Sequence, residues 1–306
     1  MRCLVLGGAG FLGSHLSEFL LAKGHVVRVF DRDETLKLRF QNLSGKMELI
    51  SGDFGLKTLV DEAMRNIDVV FHLIGTTIPK TSNEDPIFDI SSNLLPTLHM
   101  LNCVRYNQIK KIIFFSSGGT VYGIPQYIPI TENHPTNPIC SYGIHKLAIE
   151  KYLHLYHHLY GINYSVLRIS NAYGPRQRPV HGQGAIMVFL HRILHRQSIE
   201  IWGDGSIVRD YVYVGDIMEA AERVASYDGP GHIFNISSGQ GFSLNQMLDH
   251  LTTIVGHKPV VNFLPSRMLD VPVNILDIAR AQKLLGWQPK VSLSEGLKLT
   301  YSSLHQ

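Results

Sequence analysis

Tyr142 and Lys146 stand four residues apart in the segment SYGIHK. In a helix, residues i and i+4 share a face, so this spacing would place the lysine ammonium beside the tyrosine phenol. A free tyrosine has a pKa of about 10 and is a poor base at neutral pH. A neighbouring positive charge favours the phenolate and lowers that pKa. The pair is therefore a candidate for general acid–base chemistry, although this spacing also arises by chance.

A second group of polar side chains ends the apolar run in IIFFSSGGTVYG, a short distance upstream. A buried strand usually ends in turn residues, whereas this one ends in hydroxyls. Gly118 and Gly119 lie between the hydroxyls of Ser117 and Thr120 and allow the backbone to turn there. The segment raises the question of what these hydroxyls face.

The segment GGAGFLG has the spacing of a dinucleotide-binding turn. Gly7, Gly10 and Gly13 follow a strand and open a helix, as a tight turn, a close pyrophosphate approach and close helix–strand packing require. Free N–H groups at the helix start would bind the phosphates. Phe11 and Leu12 belong to the same candidate site. The alternative is a tight turn that binds no ligand.

Carboxylates and small residues follow the next predicted strands. Asp31 ends the second strand, where a carboxylate binds the ribose hydroxyls of NAD and repels the extra phosphate of NADP. Arg32 beside it runs against that preference. Asp53 ends the third strand, where it either reaches the adenine or caps the strand end. Ligands of open α/β sheets bind at this edge. The other cofactor-binding candidates here are Phe54, Leu73 and Gly75.

Short apolar runs alternate with helical periodicity along most of the chain. Predicted strands cover 2–6, 26–31, 47–51, 69–75, 111–117, 164–170 and 232–238, and predicted helices include 11–23, 56–66, 93–107, 145–160 and 215–226. This alternation favours an α/β fold with a Rossmann-type, doubly wound parallel sheet. We expect residues 1–170 to form the NAD-binding domain, with segments from about 205–240 returning to it. Residues 171–306 would mostly form a smaller, partly interleaved C-terminal lobe.

Composition argues against several function classes. The 306 residues carry a net charge of +3 with scattered basic residues, so no nucleic-acid partner is predicted. The apolar stretches are shorter than the ~20 residues of a membrane span, so no membrane insertion is predicted. Cys3, Cys103 and Cys140 lack metal-ligand spacing and the histidines form no HExxH, so no metal site is predicted. The expected location is the cytoplasm.

Several long blocks carry a resemblance to a known family. They are GGAGFLGSHL, VYG, SYGIHK, LRISNAYGPRQ, GDGSIVRDYVYVGDI and DIARAQKLLGWQP, and they span essentially the whole chain. The chain resembles the extended short-chain dehydrogenase/reductases, in the NAD-dependent nucleotide-sugar epimerase/dehydratase family, and within it the UDP-hexose 4-epimerases. The resemblance implies that Tyr142 and Lys146 are the catalytic pair and that Lys146 also holds the nicotinamide ribose. It further implies that NAD is bound by the glycines, Asp31 and Asp53, with Asn93 as a support.

The same resemblance implies a nucleotide-sugar site in the second lobe. Asn171 matches the asparagine that touches the diphosphate, and Arg209 and Arg267 match the arginines that clamp it. Guanidinium groups suit this role because they bind phosphate bidentately. For Arg209 the alternative is an ion pair with a neighbouring aspartate. Asn274 matches the position that walls the hexose pocket. We expect a UDP-linked substrate.

The glycines after Ser117 depart from the family pattern. Typical 4-epimerases have serine or threonine where this chain has Gly118, so we expect Ser117, and second Thr120, to supply the catalytic hydroxyl and Ser117 to contact substrate. The carboxylates of 4,6-dehydratases and of uronate decarboxylases are absent at Gly119 and Thr120. The predicted activity is therefore 4-epimerisation of a UDP-hexose, N-acetylhexosamine or uronate through a 4-keto intermediate.

Two alternatives remain open. Cys140 and His181 would suit a nucleotide-sugar reductase or 3,5-epimerase/reductase, although a loop thiol and a surface imidazole are the simpler interpretation. The Gly118 departure would suit a non-catalytic NAD-binding scaffold or sensor. The resemblance also implies a homodimer, in which helices at 93–107 and 145–160 form a four-helix bundle, and a role in polysaccharide biosynthesis.

Overall fold

A seven-stranded, all-parallel sheet forms the centre of the computed structural model, which describes residues 1–32, 36–43, 45–178, 184–266 and 271–305. Its strands are β1 (Arg2–Leu6), β2 (Val26–Asp31), β3 (Glu48–Ser51), β4 (Val69–His72), β5 (Lys111–Ser117), β6 (Tyr164–Ile169) and β10 (Ile233–Ile236). Their spatial order is β10-β6-β5-β4-β1-β2-β3. The order reverses between β1 and β4, which creates the switch point where ligands of such sheets bind. The predicted Rossmann-type fold is confirmed.

Two smaller sheets build the second lobe. The central strand of one is β9 (Val208–Tyr213), which pairs with β7 (Asn171–Tyr173), β11 (Gly241–Ser243) and β13 (Val273–Asn274). The other pairs β8 (Ile199–Trp202) with β12 (Val261–Leu264). Between these pieces the chain returns to the large sheet, where β10 pairs with β6.

Helices connect the strands and cover both faces of the large sheet. They are α1 (Phe11–Ala22), α2 (Leu36–Arg39), α3 (Lys57–Met64), α4 (Pro79–Glu84), α5 (Pro86–Asp89), α6 (Leu95–Val104), α7 (Ser141–Tyr160), α8 (Ala185–Leu194), α9 (Val214–Ala225), α10 (Leu244–Val255), α11 (Ala279–Leu285) and α12 (Leu293–Ser302), with a 3₁₀ turn at Gln41–Leu43 and a π-helical turn at Ile90–Leu94. Helix α7 begins before the predicted residue 145, which brings Tyr142 into its first turn. Among the described helices, none has the length and apolar character needed to cross a bilayer.

Two apolar layers enclose the large sheet and bury most of its strands on both faces. Val5 and Ile113 belong to the layer that α1 and α9 complete. Leu4 and Ile112 belong to the opposite layer, completed by α3, α6 and α7. Neighbouring residues of one strand thus serve different layers, as the two-residue period of a strand requires.

A buried ion pair fastens α7 to the sheet. Arg168 Nη2 in β6 lies 2.6 Å from Glu150 Oε2 in α7, and the two side chains are 3% and 2% exposed. The Ser116 hydroxyl in β5 donates to Glu150 Oε1 at 2.5 Å. Because Glu150 lies about one turn beyond Lys146, these contacts also fix the part of α7 that carries the lysine.

Removing one partner of this pair should destabilise the protein strongly. We expect Glu150→Ala to lower the free energy of unfolding by about 3–5 kcal/mol, since it leaves the Arg168 guanidinium buried without its carboxylate. Urea denaturation of the variant and the wild type measures the difference. The control is Glu219→Ala, which removes an exposed pair with Lys290 and should cost at most about 1 kcal/mol. Equal losses in the two variants would contradict the assignment.

Candidate active site

The glycine turn joins β1 to α1 at the switch point of the large sheet. Gly7 has a φ of +84°, which favours glycine, and its N–H donates to the Phe30 carbonyl at 2.9 Å. A Cβ on Gly13 would overlap the Gly7 carbonyl oxygen. Helix α1 starts directly after Gly10, so its first N–H groups open onto the turn. The backbone therefore forms a cradle that only glycine permits.

Asp31 reaches this turn from the end of β2. Its Oδ2 accepts a hydrogen bond from the Ala9 N–H at 2.8 Å, so the carboxylate is held beside the glycines. Asp53 Oδ1 accepts from the Gly55 N–H at 2.7 Å, the local cap that the sequence offered as an alternative role. Both aspartates also line the adjoining cleft.

A cleft of about 1950 Å³ runs from the glycine turn into the second lobe. This volume exceeds the roughly 300–1,000 Å³ of a single small-ligand pocket, so it has room for a cofactor and a substrate together. Most of the predicted site residues line it: Gly7, Gly10, Phe11, Leu12, Gly13, Asp31, Asp53, Phe54, Leu73, Gly75, Ser117, Thr120, Tyr142, Lys146, Asn171 and Arg209.

Tyr142 and Lys146 lie side by side at the middle of this cleft. Lys146 Nζ is 5.6 Å from the centre of the Tyr142 ring, as the i, i+4 spacing predicts. The ammonium is buried and donates to the Phe115 carbonyl of β5 at 3.1 Å. The Tyr142 N–H donates to the Ser82 hydroxyl of α4 at 2.9 Å. The pair is thus anchored to both β5 and α4.

The acid–base balance of the pair differs from the sequence-based expectation. Burial raises the pKa of Tyr142 to about 12, and the nearby Cys140 and Asp89 act in the same direction. Burial also lowers the pKa of Lys146 to about 8, against the opposite effect of the Asp89 and Glu150 carboxylates. The protein groups alone therefore keep the phenol protonated, and the expected lowering by Lys146 does not outweigh burial.

The end of β5 presents its side chains to two different environments. Ser117, Gly119 and Thr120 line the cleft, and the buried Thr120 hydroxyl has no hydrogen-bond partner among the described residues. Gly118 faces the other way. A Cβ there would overlap Leu276 Cδ1 and come within 3.1 Å of the Arg168 carbonyl oxygen. Ser116 also lines the cleft, but its hydroxyl donates to Glu150, which leaves Ser117 and Thr120 as the candidate hydroxyls at this strand end.

The predicted substrate residues are placed unequally. Asn171 lines the cleft and its Nδ2 donates to the Asp210 carbonyl at 2.9 Å. Arg209 lines the cleft too, and its guanidinium donates to the carbonyls of Val208 and Val271 at 3.0 and 2.6 Å. Arg267 lies outside the described residues. The side chains of Asn171 in β7 and Arg209 in β9 are thus both tied to the second lobe's backbone.

Two predicted residues lie behind the cleft surface. Asn274 is buried and its Nδ2 donates to the Gly118 carbonyl at 3.2 Å, so it touches the turn after β5. Asn93 is buried beneath β4, where its Oδ1 accepts from the Thr76 N–H at 2.9 Å. Neither lines the cleft within the described residues, so a hexose-wall role for Asn274 stays a prediction.

Sequence reasoning missed a connection between the lobes. Arg176, in the loop after β7, forms a bidentate pair with Glu18 of α1, with N–O distances of 2.9 and 2.7 Å. His15 Nε2 lies 2.9 Å from the Pro175 carbonyl in the same loop. No local pattern could reveal this pairing, because the partners are far apart in sequence.

Comparison with known proteins identifies the family. The model of the NAD dependent epimerase/dehydratase family matches residues 3–237. The chain belongs to this family. A UDP-glucose 4-epimerase from Mycolicibacterium smegmatis is 37% identical over 312 residues, covering 98% of this chain and 97% of that protein.

Two solved structures of family members share the fold closely. The crystal structure of a Thermotoga maritima UDP-glucose 4-epimerase with UDP-glucose has a TM-score of 0.94 at 37% identity, covering 100% of this chain and 99% of that one. A Thermus thermophilus UDP-glucose 4-epimerase complex with NAD has a TM-score of 0.92 at 34% identity, with coverage of 100% and 99%. The predicted resemblance is confirmed.

The residues present fit the NAD cofactor of this family. Gly13 lets α1 pack directly against the glycine turn, because a Cβ there would overlap the Gly7 carbonyl, and Asp31 places a carboxylate beside the turn. The free N–H groups of α1 suit a pyrophosphate, and the Asp31 carboxylate suits ribose hydroxyls. The lysine at the centre of the cleft suits the second ribose.

The packing behind Gly118 predicts that the serine expected at this position from the resemblance would not fit without a loss of stability. We expect Gly118→Ser to lower the free energy of unfolding by about 1–3 kcal/mol, because the new Cβ forces the buried Leu276 to move. Chemical denaturation measures the loss. Adding Leu276→Val, which removes the overlapping methyl group, should recover part of it.

Gly119→Ser is the matched control for this prediction. A Cβ at Gly119 meets only the Ser117 hydroxyl, at 3.9 Å, so the variant should be nearly as stable as the wild type. A Gly118→Ser protein as stable as Gly119→Ser would contradict the packing at this turn.

Proposed function

We propose that the protein is an NAD-dependent 4-epimerase of UDP-linked sugars. The observation that carries the proposal is that Tyr142, beside Lys146, opens onto the same cleft as the glycine cradle. In this arrangement the lobe of residues 1–170, with returning segments from about 205–240, serves NAD. Residues 171–306 mostly serve the nucleotide sugar.

Tyr142 is the proposed acid–base residue. It takes the proton of the sugar 4-hydroxyl when C4 is oxidised and returns a proton after the 4-ketose has turned over in the cleft. Bound NAD supplies the hydride acceptor for C4, later the hydride donor, and a positive ring charge that favours the phenolate. Lys146 adds a second positive charge next to the phenol. The cycle involves no net oxidation.

Ser117 and Thr120 are the proposed hydroxyl partners of the sugar. Both line the cleft, and the Thr120 hydroxyl is buried with its hydrogen-bonding capacity unused among the described residues. Such a group costs free energy until a ligand satisfies it. Ser117 ends β5, which Lys146 already contacts. In this proposal, Ser117 and Thr120 supply the hydroxyl that Gly118, which faces away from the cleft, does not.

The chemistry of the cleft argues against elimination. A dehydratase needs an acid and a base to remove the C5 proton and expel the C6 hydroxyl. Glycine and threonine at 119 and 120 offer neither group. A reversible oxidation at C4 is the reaction that the remaining side chains support.

The substrate's diphosphate would lie between the lobes. Asn171 and Arg209 line that part of the cleft, and Arg267 is included on the resemblance alone. A guanidinium fork binds phosphate oxygens bidentately, which holds the nucleotide while the hexose turns. We propose the UDP-glucose/UDP-galactose pair as the first substrate to test, with the 2-acetamido sugars and uronates as the alternatives that Asn274 leaves open.

We further propose a homodimer formed through α6 and α7. Leu95 of α6 is 47% exposed, and Ile144, Leu155 and Leu159 of α7 are 54%, 42% and 55% exposed. The spacing of the three α7 residues places them on one face, which a second copy would bury. A cytoplasmic location, consistent with three free cysteines, and a part in polysaccharide biosynthesis belong to the same proposal.

The proposed activity is tested by incubating the NAD-loaded protein separately with UDP-glucose, UDP-N-acetylglucosamine and UDP-glucuronate, and following the sugar protons by NMR. A new C4 epimer without accumulation of NADH is the expected result. Net consumption of added NADPH with a 4-keto sugar would instead indicate the reductase, and Cys140→Ser should then abolish activity. For the epimerase, Cys140→Ser should retain it.

Substitution of the proposed catalytic groups should separate their roles. Tyr142→Phe removes the proton acceptor and should lower kcat by at least about 100-fold. Ser117→Ala should lower it more than Thr120→Ala, because Ser117 is the first candidate for the hydroxyl partner. The same NMR assay measures all three. Wild-type turnover in Tyr142→Phe would exclude this mechanism, whereas loss of turnover would exclude the non-catalytic scaffold.

A further inference from the structure

A buried group of polar side chains lies directly beneath the Tyr142–Lys146 pair. We call it the Asp89 cluster; it consists of Thr77, Asp89, Asn93, Ser141 and His145. Its members come from the loop after β4, from α5, from the π-helical turn and from the first turns of α7. The Asp89 and Asn93 side chains are buried, and so is His145.

Asp89 is the centre of this cluster. Its Oδ2 accepts from the Ser141 hydroxyl at 2.7 Å and from His145 Nδ1 at 2.9 Å. Its Oδ1 accepts from the Thr77 hydroxyl. The carboxylate therefore joins the loop after β4 to two consecutive turns of α7. Among the described residues, His145 is the one basic side chain within 4 Å of the Asp89 carboxylate.

His145 hydrogen-bonds to this carboxylate through one ring nitrogen, Nδ1. An ionised carboxylate can only accept, so Nδ1 carries the hydrogen. Burial, together with the positive charge of Lys146, lowers the pKa of His145 to about 4, so the ring is neutral at pH 7. Its Nε2 is buried with no hydrogen-bond partner in the described part of the chain. The contact with Asp89 is thus the polar interaction that accounts for a histidine here.

The cluster is hydrogen-bonded to the part of α7 that carries the Tyr142–Lys146 pair. Ser141 precedes Tyr142, and His145 precedes Lys146. The His145 ring also packs edge-on against the Tyr142 ring, with centroids 5.1 Å apart. Any shift of His145 would therefore move the surface that confines the tyrosine.

Burying the Asp89 carboxylate costs more free energy than burying an uncharged side chain in the same place would. A buried carboxylate without a fixed cation is expensive, and neutral side chains could join the same elements more cheaply. The groups that face its charge are Tyr142, Lys146, His145 and Cys140. The negative charge favours the Lys146 ammonium and disfavours the Tyr142 phenolate.

We propose that Asp89, acting through His145 and Ser141, is a positioning residue that sets the place and the charge balance of the Tyr142–Lys146 pair. It touches neither cofactor nor substrate. The inference rests on the proposed epimerase function, since it assigns these residues a part in that reaction.

Two substitutions of His145 test the positioning. His145→Phe keeps a ring beside Tyr142 and removes the donor to Asp89, whereas His145→Asn keeps a donor near the Nδ1 position. We expect His145→Phe to lower kcat by about 10- to 100-fold with KM within about twofold, because misplacement of a catalytic group by about 1 Å can cost 100-fold. His145→Asn should recover most of the loss. Equal kcat losses in the two variants, or none in His145→Phe, would overturn the proposal.

Asp89→Asn tests the charge. Removing a negative charge that faces the phenol and the ammonium lowers both pKa values, so both limbs of the pH profile of kcat should move to lower pH. An anchor with only a structural role would lower kcat at every pH and leave the limbs in place. The control is Thr300→Val, which removes a buried hydrogen bond to the Gly296 carbonyl within α12, a helix that contributes no residue to the cleft lining, and should change neither limb.

Backbone amide hydrogen exchange tests the positioning role even if the protein shows no turnover with any substrate tried. His145→Phe should speed exchange of the backbone amides at 141–146 more than at 293–302, while His145→Asn should not. Wild-type protein that leaves every nucleotide sugar unchanged would remove the proposed function, and the exchange result would still decide whether the Asp89 cluster holds this helix end. Unchanged exchange in His145→Phe would overturn the positioning role.

Discussion

The hydrogen bond from the Lys146 ammonium to the Phe115 carbonyl joins helix α7 to strand β5, and the placement of the proposed Tyr142–Lys146 pair depends on it. The bond is 3.1 Å long and the lysine is 3% exposed. It places Tyr142 of α7 across the cleft from the end of β5. The Arg168–Glu150 pair joins α7 to the neighbouring strand β6 one turn further along the helix.

This junction explains why Tyr142 lies near the glycine turn at the switch point of the sheet. The carboxyl ends of β1, β4 and β5 meet there, so the glycine turn and the tyrosine open onto one cleft. The second lobe completes the cleft from the other side through β7 and β9. Its Leu276 and Asn274 also pack against the turn at Gly118, so the second lobe helps to shape the end of β5.

Sequence predicted the parts of the site that depend on local spacing. The glycine turn, Asp31 at the end of β2 and the Tyr142–Lys146 spacing are each set within one βα unit, so their geometry follows from short-range rules. The parallel, doubly wound sheet followed from the alternation of strands and helices, whereas its strand order is known only from the structure. The start of α7 was placed too late, because its first N–H groups are satisfied by Ser82 and Asn83 of α4 rather than by a local cap.

Long-range packing decided the rest. The direction of Gly118 depends on Leu276, which is distant in sequence, and the same holds for the link between Glu18 and Arg176. The ammonium beside Tyr142 is visible in the sequence, whereas the burial that raises the pKa of its phenol is not. No spacing rule could have placed Asp89 against His145.

In the proposed reaction, hydride leaves C4 of the sugar and returns to the same carbon within one cleft. The most direct measurement is the fate of deuterium placed at C4 of UDP-glucose during conversion by the NAD-loaded protein. The account predicts UDP-galactose that retains the deuterium at C4, with no exchange into water and none from labelled NADH in solution. Product that carries hydrogen at C4, from solvent or from added cofactor, would contradict it.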